Sequence, residues 1–235
     1  MLSQSVFIVL LNLVSNSVYA AERAEAVGTI REGKLLHGFN AHSFLSKNKN
    51  VQLVSPEEFQ FSTKEIADLI NDLAGWVHEK WNRPILVGDM SLKSGGKMAS
   101  HKAHQNGLDV DVGYLSILEK HSGHRSQKFH NKFPEIFDDS GKLSSNFDKA
   151  NNFQIFKFLV EHSDIKMILV SCGVKKAFVS DESLSKAERA KIRSKLLVKP
   201  GHEDHFHIRI SCPKGNTKCD DSIPDFMWQD VNCKI

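Results

Sequence analysis

The sequence predicts an α+β fold, a single domain with a small antiparallel sheet flanked by helices and long loops. Three observations lead there. Ile66, Leu69, Ile70, Leu73 and Val77 recur at helical spacing. The apolar runs Ile85-Leu86-Val87 and Ile165 to Val170 are the right length for buried strands and too short for helices. Two further segments alternate in polarity. Leu108, Val110 and Val112 interleave with Asp109 and Asp111, and Phe206, Ile208 and Ile210 interleave with His207 and Arg209. With 40% hydrophobic and 25% charged residues, the 235-residue chain has enough apolar material to close one core and argue against disorder.

From the start of the chain, Met1 to Ala20 carries no Lys, Arg, Asp or Glu, and Val6 to Val14 is apolar except for Asn12. That run is too short to span a bilayer. It ends in Val18-Tyr19-Ala20, a pattern that suits signal peptidase. Residues 1–20 are therefore expected to be a signal peptide, leaving 21–235 as the mature domain, with no later membrane span. Residues 21–60 show no clear periodicity. Ser62-Thr63-Lys64-Glu65 reads as a capping box, opening a helix over about 63–82. A strand at 85–87 and a loop at 88–96, flexible at Gly95-Gly96, follow. Residues 119–146 are polar and rich in His, Lys and Ser, and are expected to form a long surface insertion. A helix at 150–162, the strand at 165–170, and a charged helix at 181–195 begun by Ser180 or Asp181 lead to the last strand. Trp76 and Trp81 are read as core side chains rather than a sugar platform.

All four cysteines lie in the last third of the chain. Cys212 and Cys219 flank Pro213, Gly215 and Asn216, which favours a local disulfide loop. Cys172 with Cys233 would then staple the C-terminal segment to the body. Such bridges persist in oxidising compartments. The net charge of +3, with no long Lys/Arg run, gives no surface built for nucleic acid.

The chemistry concentrates in two segments, His101-Lys-Ala-His104-Gln-Asn-Gly107-Leu-Asp109-Val-Asp111 and His202-Glu-Asp-His205-Phe-His207. On a strand, His205 and His207 share a face, as do Asp109 and Asp111. Gly107 permits a turn that returns His104 over Asp111. His104, Asp111 and one histidine of the His205/His207 pair would supply three zinc ligands. That number leaves a fourth position open, as catalytic zinc requires. The same side chains without a partner would cost several kcal/mol to bury, roughly 2–7 per group. No Gly-x-Ser-x-Gly elbow is present, and His202-Glu-Asp-His205 lacks the helical spacing of the His-Glu-x-x-His zinc motif.

Gly88-Asp89-Met90, Gly95-Gly96, the whole first histidine segment, and His202-x-x-His205-x-His207-x-Arg209-x-x-Cys212-Pro213 together resemble the penicillin-insensitive murein endopeptidases. These sit in a wider zinc-peptidase group with lysostaphin-like enzymes, D-Ala-D-Ala carboxypeptidases and hedgehog domains. The resemblance runs from Ile85 to Cys219. It implies zinc held by His104, Asp111 and His207, with His205 and His202 as the catalytic histidines. His101 matches a further family histidine, and Asp109 a recurrent acid that would support a ligand or meet the substrate. It also implies a periplasmic enzyme acting on peptidoglycan, cutting the D-alanine to meso-diaminopimelate cross-link. His205 is the expected proton acceptor, with Glu203 and Asp204 as rivals. His202 is expected to stabilise the oxyanion or protonate the leaving amine. Two alternatives stay open: a carboxypeptidase or dipeptidase of the same group, and a non-catalytic zinc-binding module that recognises cell wall. The chain lacks two cysteines that the family pattern leads one to expect, and Cys172 sits early. The Cys172–Cys233 bridge is thus less secure than Cys212–Cys219.

Overall fold

A computed structural model describes residues 22–99, 101–118, 133–161, 164–224 and 233. The expected signal peptide and the first half of the polar insertion, 119–132, lie outside the described residues. The chain opens with a hairpin, β1 (Glu25–Gly28) and β2 (Gly33–Leu36), followed by β3 (Phe39–Asn40), α1 (Ala41–Leu45), β4 (Val51–Leu53) and β5 (Phe61–Ser62). The long helix α2 (Lys64–Trp81), β6 (Ile85–Val87), β7 (Asp109–Gly113), α3 (Lys149–Glu161) and β8 (Ile165–Val170) come next. α4 (Cys172–Val179), α5 (Lys186–Arg193), β9 (Leu196–Val198) and β10 (His205–Ile210) complete the order.

Six strands form the main sheet in the order β4-β6-β7-β10-β8-β9. The four central strands are antiparallel, as expected from their alternation. The outer two instead pair parallel, β4 with β6 and β9 with β8. Helices explain this: α2 lies between β4 and β6 in the chain, and α4 with α5 between β8 and β9, and parallel neighbours need such crossovers.

Ile66, Leu69, Ile70, Leu73 and Val77 turn the buried face of α2 into the core, where they meet Phe153, Phe156, Val110, Val112, Phe206 and Ile208. Each large aliphatic side chain so buried contributes about 1.5–3 kcal/mol. Trp76 stacks on Phe158 and meets Trp81 edge-on beside this core. The opposite sheet face carries the polar residues of β7 and β10, bordered by a smaller cluster of Ile30, Met167, Leu169, Leu197 and Ile223.

Several local expectations change. No capping box forms at Ser62; its hydroxyl donates to the Thr63 carbonyl, and Thr63 is the N-cap of α2 without a side-chain cap bond. The box forms at Ser185 with Glu188 instead, so the charged helix starts later than Ser180 or Asp181. Before it, Ser171 caps the unexpected α4. Gly95 is a packed position rather than a flexible one: a Cβ there would lie 2.2 Å from Gln105 O and 2.4 Å from Leu35 N. In the second half of the polar insertion, Phe133 and Ile136 are buried. Both disulfides form as expected, Cys172–Cys233 and Cys212–Cys219. No helix among the described residues is long and apolar enough to cross a membrane.

Candidate metal centre

The site follows from strand register. In the antiparallel β7–β10 pair, His207 stands opposite Asp111, Arg209 opposite Asp109 and His205 opposite Gly113. Alternation puts all of these on one face, while Val110, Val112, Phe206 and Ile208 fill the core on the other. His207 Nδ1 lies 3.1 Å from Asp111 Oδ1, and its Nε2 lies 2.9 Å from Asp109 Oδ1. All three side chains are buried.

His104 reaches the same carboxylate from the loop before β7. The loop bends through the left-handed region at His104 (φ 62°) and Gly107 (φ 73°). A non-glycine residue rarely sits there, which marks the backbone as constrained at His104. Gly107 anchors the bend, since its carbonyl accepts from Thr63 N at the start of α2. The loop after β6 runs beside β7 through Gly88 N–Asp111 O and Asp111 N–Asp89 O bonds. It thereby presents the Met90 carbonyl to His104 Nδ1 at 2.6 Å.

Hydrogen-bond roles constrain the protons. A carbonyl only accepts, so His104 Nδ1 carries the proton that it donates to Met90 O. His104 Nε2 is left bare, without a hydrogen-bond partner, 3.2 Å from Asp111 Oδ1. His207 lies between two acceptor-only carboxylates; its shorter contact, Nε2 to the Asp109 that Arg209 Nη1 holds at 2.6 Å, places the proton of a neutral ring on Nε2 and leaves Nδ1 bare toward Asp111. Two imidazole lone pairs then face one carboxylate oxygen, and Asp111 Oδ2 is also unpartnered. Only a cation, a proton or a metal ion, reconciles three buried acceptors that converge in this way. The donor set of imidazole nitrogen and carboxylate oxygen fits a divalent transition metal.

The electrostatics agree. Burial opposes the charge on Asp111, but His104 and His205 outweigh it and hold the carboxyl well below its usual range. Burial likewise opposes Asp109, which Arg209 and His207 bring down to about 2. Burial pushes His207 down, and Asp109 and Asp111 more than reverse it.

His101 stands at the rim. Its Nε2 is 2.8 Å from Asp89 Oδ2, and its ring centroid lies 4.3 Å from that of His104. Among the described residues, the trio whose ligand-capable atoms all fall within 4.8 Å of one another is His101, His104 and Asp111, which has His101 where the sequence led us to expect His207. Ser55 Oγ donates to the other oxygen of Asp89 at 2.5 Å.

His205 lies on the open side of Asp111, Nε2 3.6 Å from Oδ1, with Nδ1 2.6 Å from Asp204 Oδ1 and its ring stacked on Phe133. Burial opposes its charge, but Asp111 and Asp204 raise its pKa above the ordinary value. His202 sits 5.1 Å from His205 between ring centroids and donates from Nδ1 to Lys199 O, leaving Nε2 as an acceptor. Burial, then His205 and His207, lower its pKa to about 3, so it stays neutral. Tyr114 Oη donates to the His202 carbonyl. Glu203 is occupied otherwise, accepting from Gly201 N at 3.4 Å.

The seven chemical residues expected from sequence thus form one connected cluster, each within contact of another. Sequence reasoning gave no role to Asp89, Ser55, Phe133 or Arg209. Arg209 had a visible signal, its strand alternation with His207; the others come from loops with no such period.

The sequence matches the family described as penicillin-insensitive murein endopeptidase over residues 28–233. The chain belongs to the penicillin-insensitive murein endopeptidase family. Over 203 residues, 86% of this chain and 71% of the relative, it is 26% identical to the penicillin-insensitive murein endopeptidase of Klebsiella pneumoniae subsp. pneumoniae. It is 24% identical to that of Salmonella arizonae over 202 residues, 84% of this chain and 70% of the relative. For the Yersinia pseudotuberculosis protein the figure is 23% over 168 residues, 71% of this chain and 59% of the relative. The match to the murein endopeptidase family covers every element from β2 to β10 and thus the entire candidate metal centre.

Proposed function

We propose that this murein endopeptidase uses zinc, held by His104 Nε2, Asp111 Oδ1 and His207 Nδ1, to hydrolyse the D-alanine to meso-diaminopimelate cross-links of peptidoglycan. The observation that carries the reading is the convergence of two bare imidazole nitrogens on one buried, ionised carboxylate oxygen. Residues 1–20 act in this reading as a signal peptide that delivers residues 21–235 to the periplasm, where two disulfides suit the redox conditions.

A zinc ion held there would supply Lewis acidity toward the scissile carbonyl and toward a water molecule. The protein's own groups do the rest. Asp204 and Phe133 hold the His205 ring with Nε2 on the open side of the site, and its raised pKa suits it to take a proton and pass it on. His202, neutral and accepting at Nε2, is better placed to accept a hydrogen bond and orient water or the substrate than to donate to an oxyanion. Asp89 fixes His101 at the rim, where the ring can meet substrate or complete the metal shell.

The test is incubation of the purified mature protein with cross-linked muropeptides, read by mass spectrometry. Dimers should disappear as monomers accumulate; release of D-alanine alone would point to a carboxypeptidase. His205→Ala should abolish turnover with zinc content near one per chain. His207→Ala should lose zinc and His101→Ala should keep it, and the reverse pattern would assign the metal to the His101 grouping. A chelator should silence a protein that stays folded.

A further inference from the structure

Arg209 lies wholly buried on the site face of β10. Its Nη1 donates to Asp109 Oδ2 at 2.6 Å and to Asn106 Oδ1 at 3.3 Å, while Nε and Nη2 have no hydrogen-bond partner among the described residues. Burying a guanidinium with most donors unmatched is costly, and an apolar side chain would avoid that cost. The fold alone does not account for an arginine here.

We infer that Arg209 is a positioning residue that fixes the tautomer of His207 through Asp109, so that Nδ1 is bare and faces Asp111. This rests on reading His207 as a metal ligand, yet the tautomer is readable with no metal present. Arg209 occupies Asp109 Oδ2 and leaves Oδ1 to accept from His207 Nε2 at 2.9 Å. Both carboxylates only accept; the contact to Asp109 is the shorter, 2.9 Å against 3.1 Å to Asp111, and on that geometry we place the proton of the neutral ring on Nε2. Asn106 keeps the guanidinium in register. Its oxygen takes Nη1, and its Nδ2 donates to the Gly28 and Thr29 carbonyls at 3.3 and 3.4 Å, where β1 ends and the turn to β2 begins. Carboxylate partners of this kind orient ligand histidines, and their loss typically weakens metal binding about 10–100-fold.

Asp109→Asn makes the inference sharp, because it preserves shape. Arg209 Nη1 still needs an acceptor and captures the amide oxygen. The amide NH2 is left facing His207 Nε2, which must now accept. The proton moves to Nδ1 and covers the lone pair that faces Asp111. In the charge-balanced double variant Asp109→Asn/Arg209→Leu, the amide is free to turn its oxygen back to Nε2, and the original tautomer returns.

The experiment is long-range proton–nitrogen correlation NMR of His207 in metal-free protein, at alkaline pH where the ring is neutral. Zinc dissociation constants are measured in parallel by competition with a chromophoric chelator. Wild type should show the proton on Nε2. Asp109→Asn should show it on Nδ1, with zinc affinity down by about 10–100-fold, and the double variant should restore both. A wild-type proton on Nδ1 overturns the inference, even if Asp109→Asn fails to fold. So does a folded Asp109→Asn that loses zinc with its tautomer unchanged, since that loss would be merely structural. Wild-type zinc affinity in His207→Ala sinks the ligand reading instead, and leaves the tautomer result standing.

Discussion

At the scale of single residues, the site depends on two backbone positions as much as on its ligands. His104 aims its ring because its own φ is 62° and that of Gly107 is 73°. Gly107→Ala should cost about 1–2 kcal/mol from the left-handed backbone alone. Its new Cβ would also press on Leu35 Cδ1 at 2.8 Å and Thr63 N at 3.0 Å. We expect a lower melting temperature and weaker zinc binding together, read by thermal denaturation and metal titration. A variant with unchanged zinc affinity would show that the bend does not aim His104. The two histidine segments were legible in the sequence because their spacing is chemical. Asp89 stood there only within Gly88-Asp89-Met90, without a role, since an aspartate after a strand has many ordinary uses. Only the path of the loop beside β7 brings its carboxylate to His101.

At the scale of elements, strands that alternate and helices that repeat were readable, whereas short pieces held by neighbours were not. β7 and β10 announce themselves because aspartates and histidines interrupt apolar residues every second position. The hairpin β1–β2 has four-residue strands and is secured from outside. Gly28 N bonds Lys218 O and Asn216 Nδ2 bonds Ala26 O, from the Cys212–Cys219 loop, and Asp220 N, just after that loop, bonds Gly28 O. Helix α4 follows β8 so closely that the apolar run masks the change of period, and the cap at Ser185 fixes α5 where charge alone did not. Between them, Asp181 binds Lys149 at 2.7 Å and accepts from Ser183 N at 2.8 Å, tying this loop to the start of α3. Burial opposes its charge, but the bonds from Lys149 and Ser183 bring its pKa from 3.8 to about 2. Because the folded value is the lower one, the stabilisation is complete above 3.8 and fades as pH falls toward 2. Asp181→Asn should flatten the acid limb of a stability–pH curve measured by urea denaturation. An unchanged slope there would mean that the pair contributes nothing.

At the scale of the molecule, two disulfides close loops of very different length, with sequence separations of 61 and 7 residues. On the chain-entropy account the longer one is worth about 4 kcal/mol and the shorter about 2.5 kcal/mol. Cys172→Ser/Cys233→Ser should therefore lower the melting temperature more than Cys212→Ser/Cys219→Ser. The shorter loop clamps the β1–β2 hairpin whose turn carbonyls hold Asn106, so its loss should be the one that weakens zinc binding. Calorimetry and metal titration on the two double variants separate these effects. Equal zinc affinities in both would break the link from that loop to the metal centre. The one-domain reading and the zinc-peptidase resemblance were both available from the chain, but the mixed sheet was not. Parallel pairing at its edges depends on helices that cross over, and no strand's own residues state which way its neighbour runs.

β10 is the last strand of the described chain and yet occupies the middle of the sheet, between β7 and β8. A nascent or translocating polypeptide that has not yet released it holds two half-sheets, each with a raw edge. Closing that gap welds the halves and, in the same stroke, sets His207 across from Asp111. Completion of the architecture and assembly of the candidate metal centre are one event, so a stalled chain lacks that centre and is prone to sticking to its own kind.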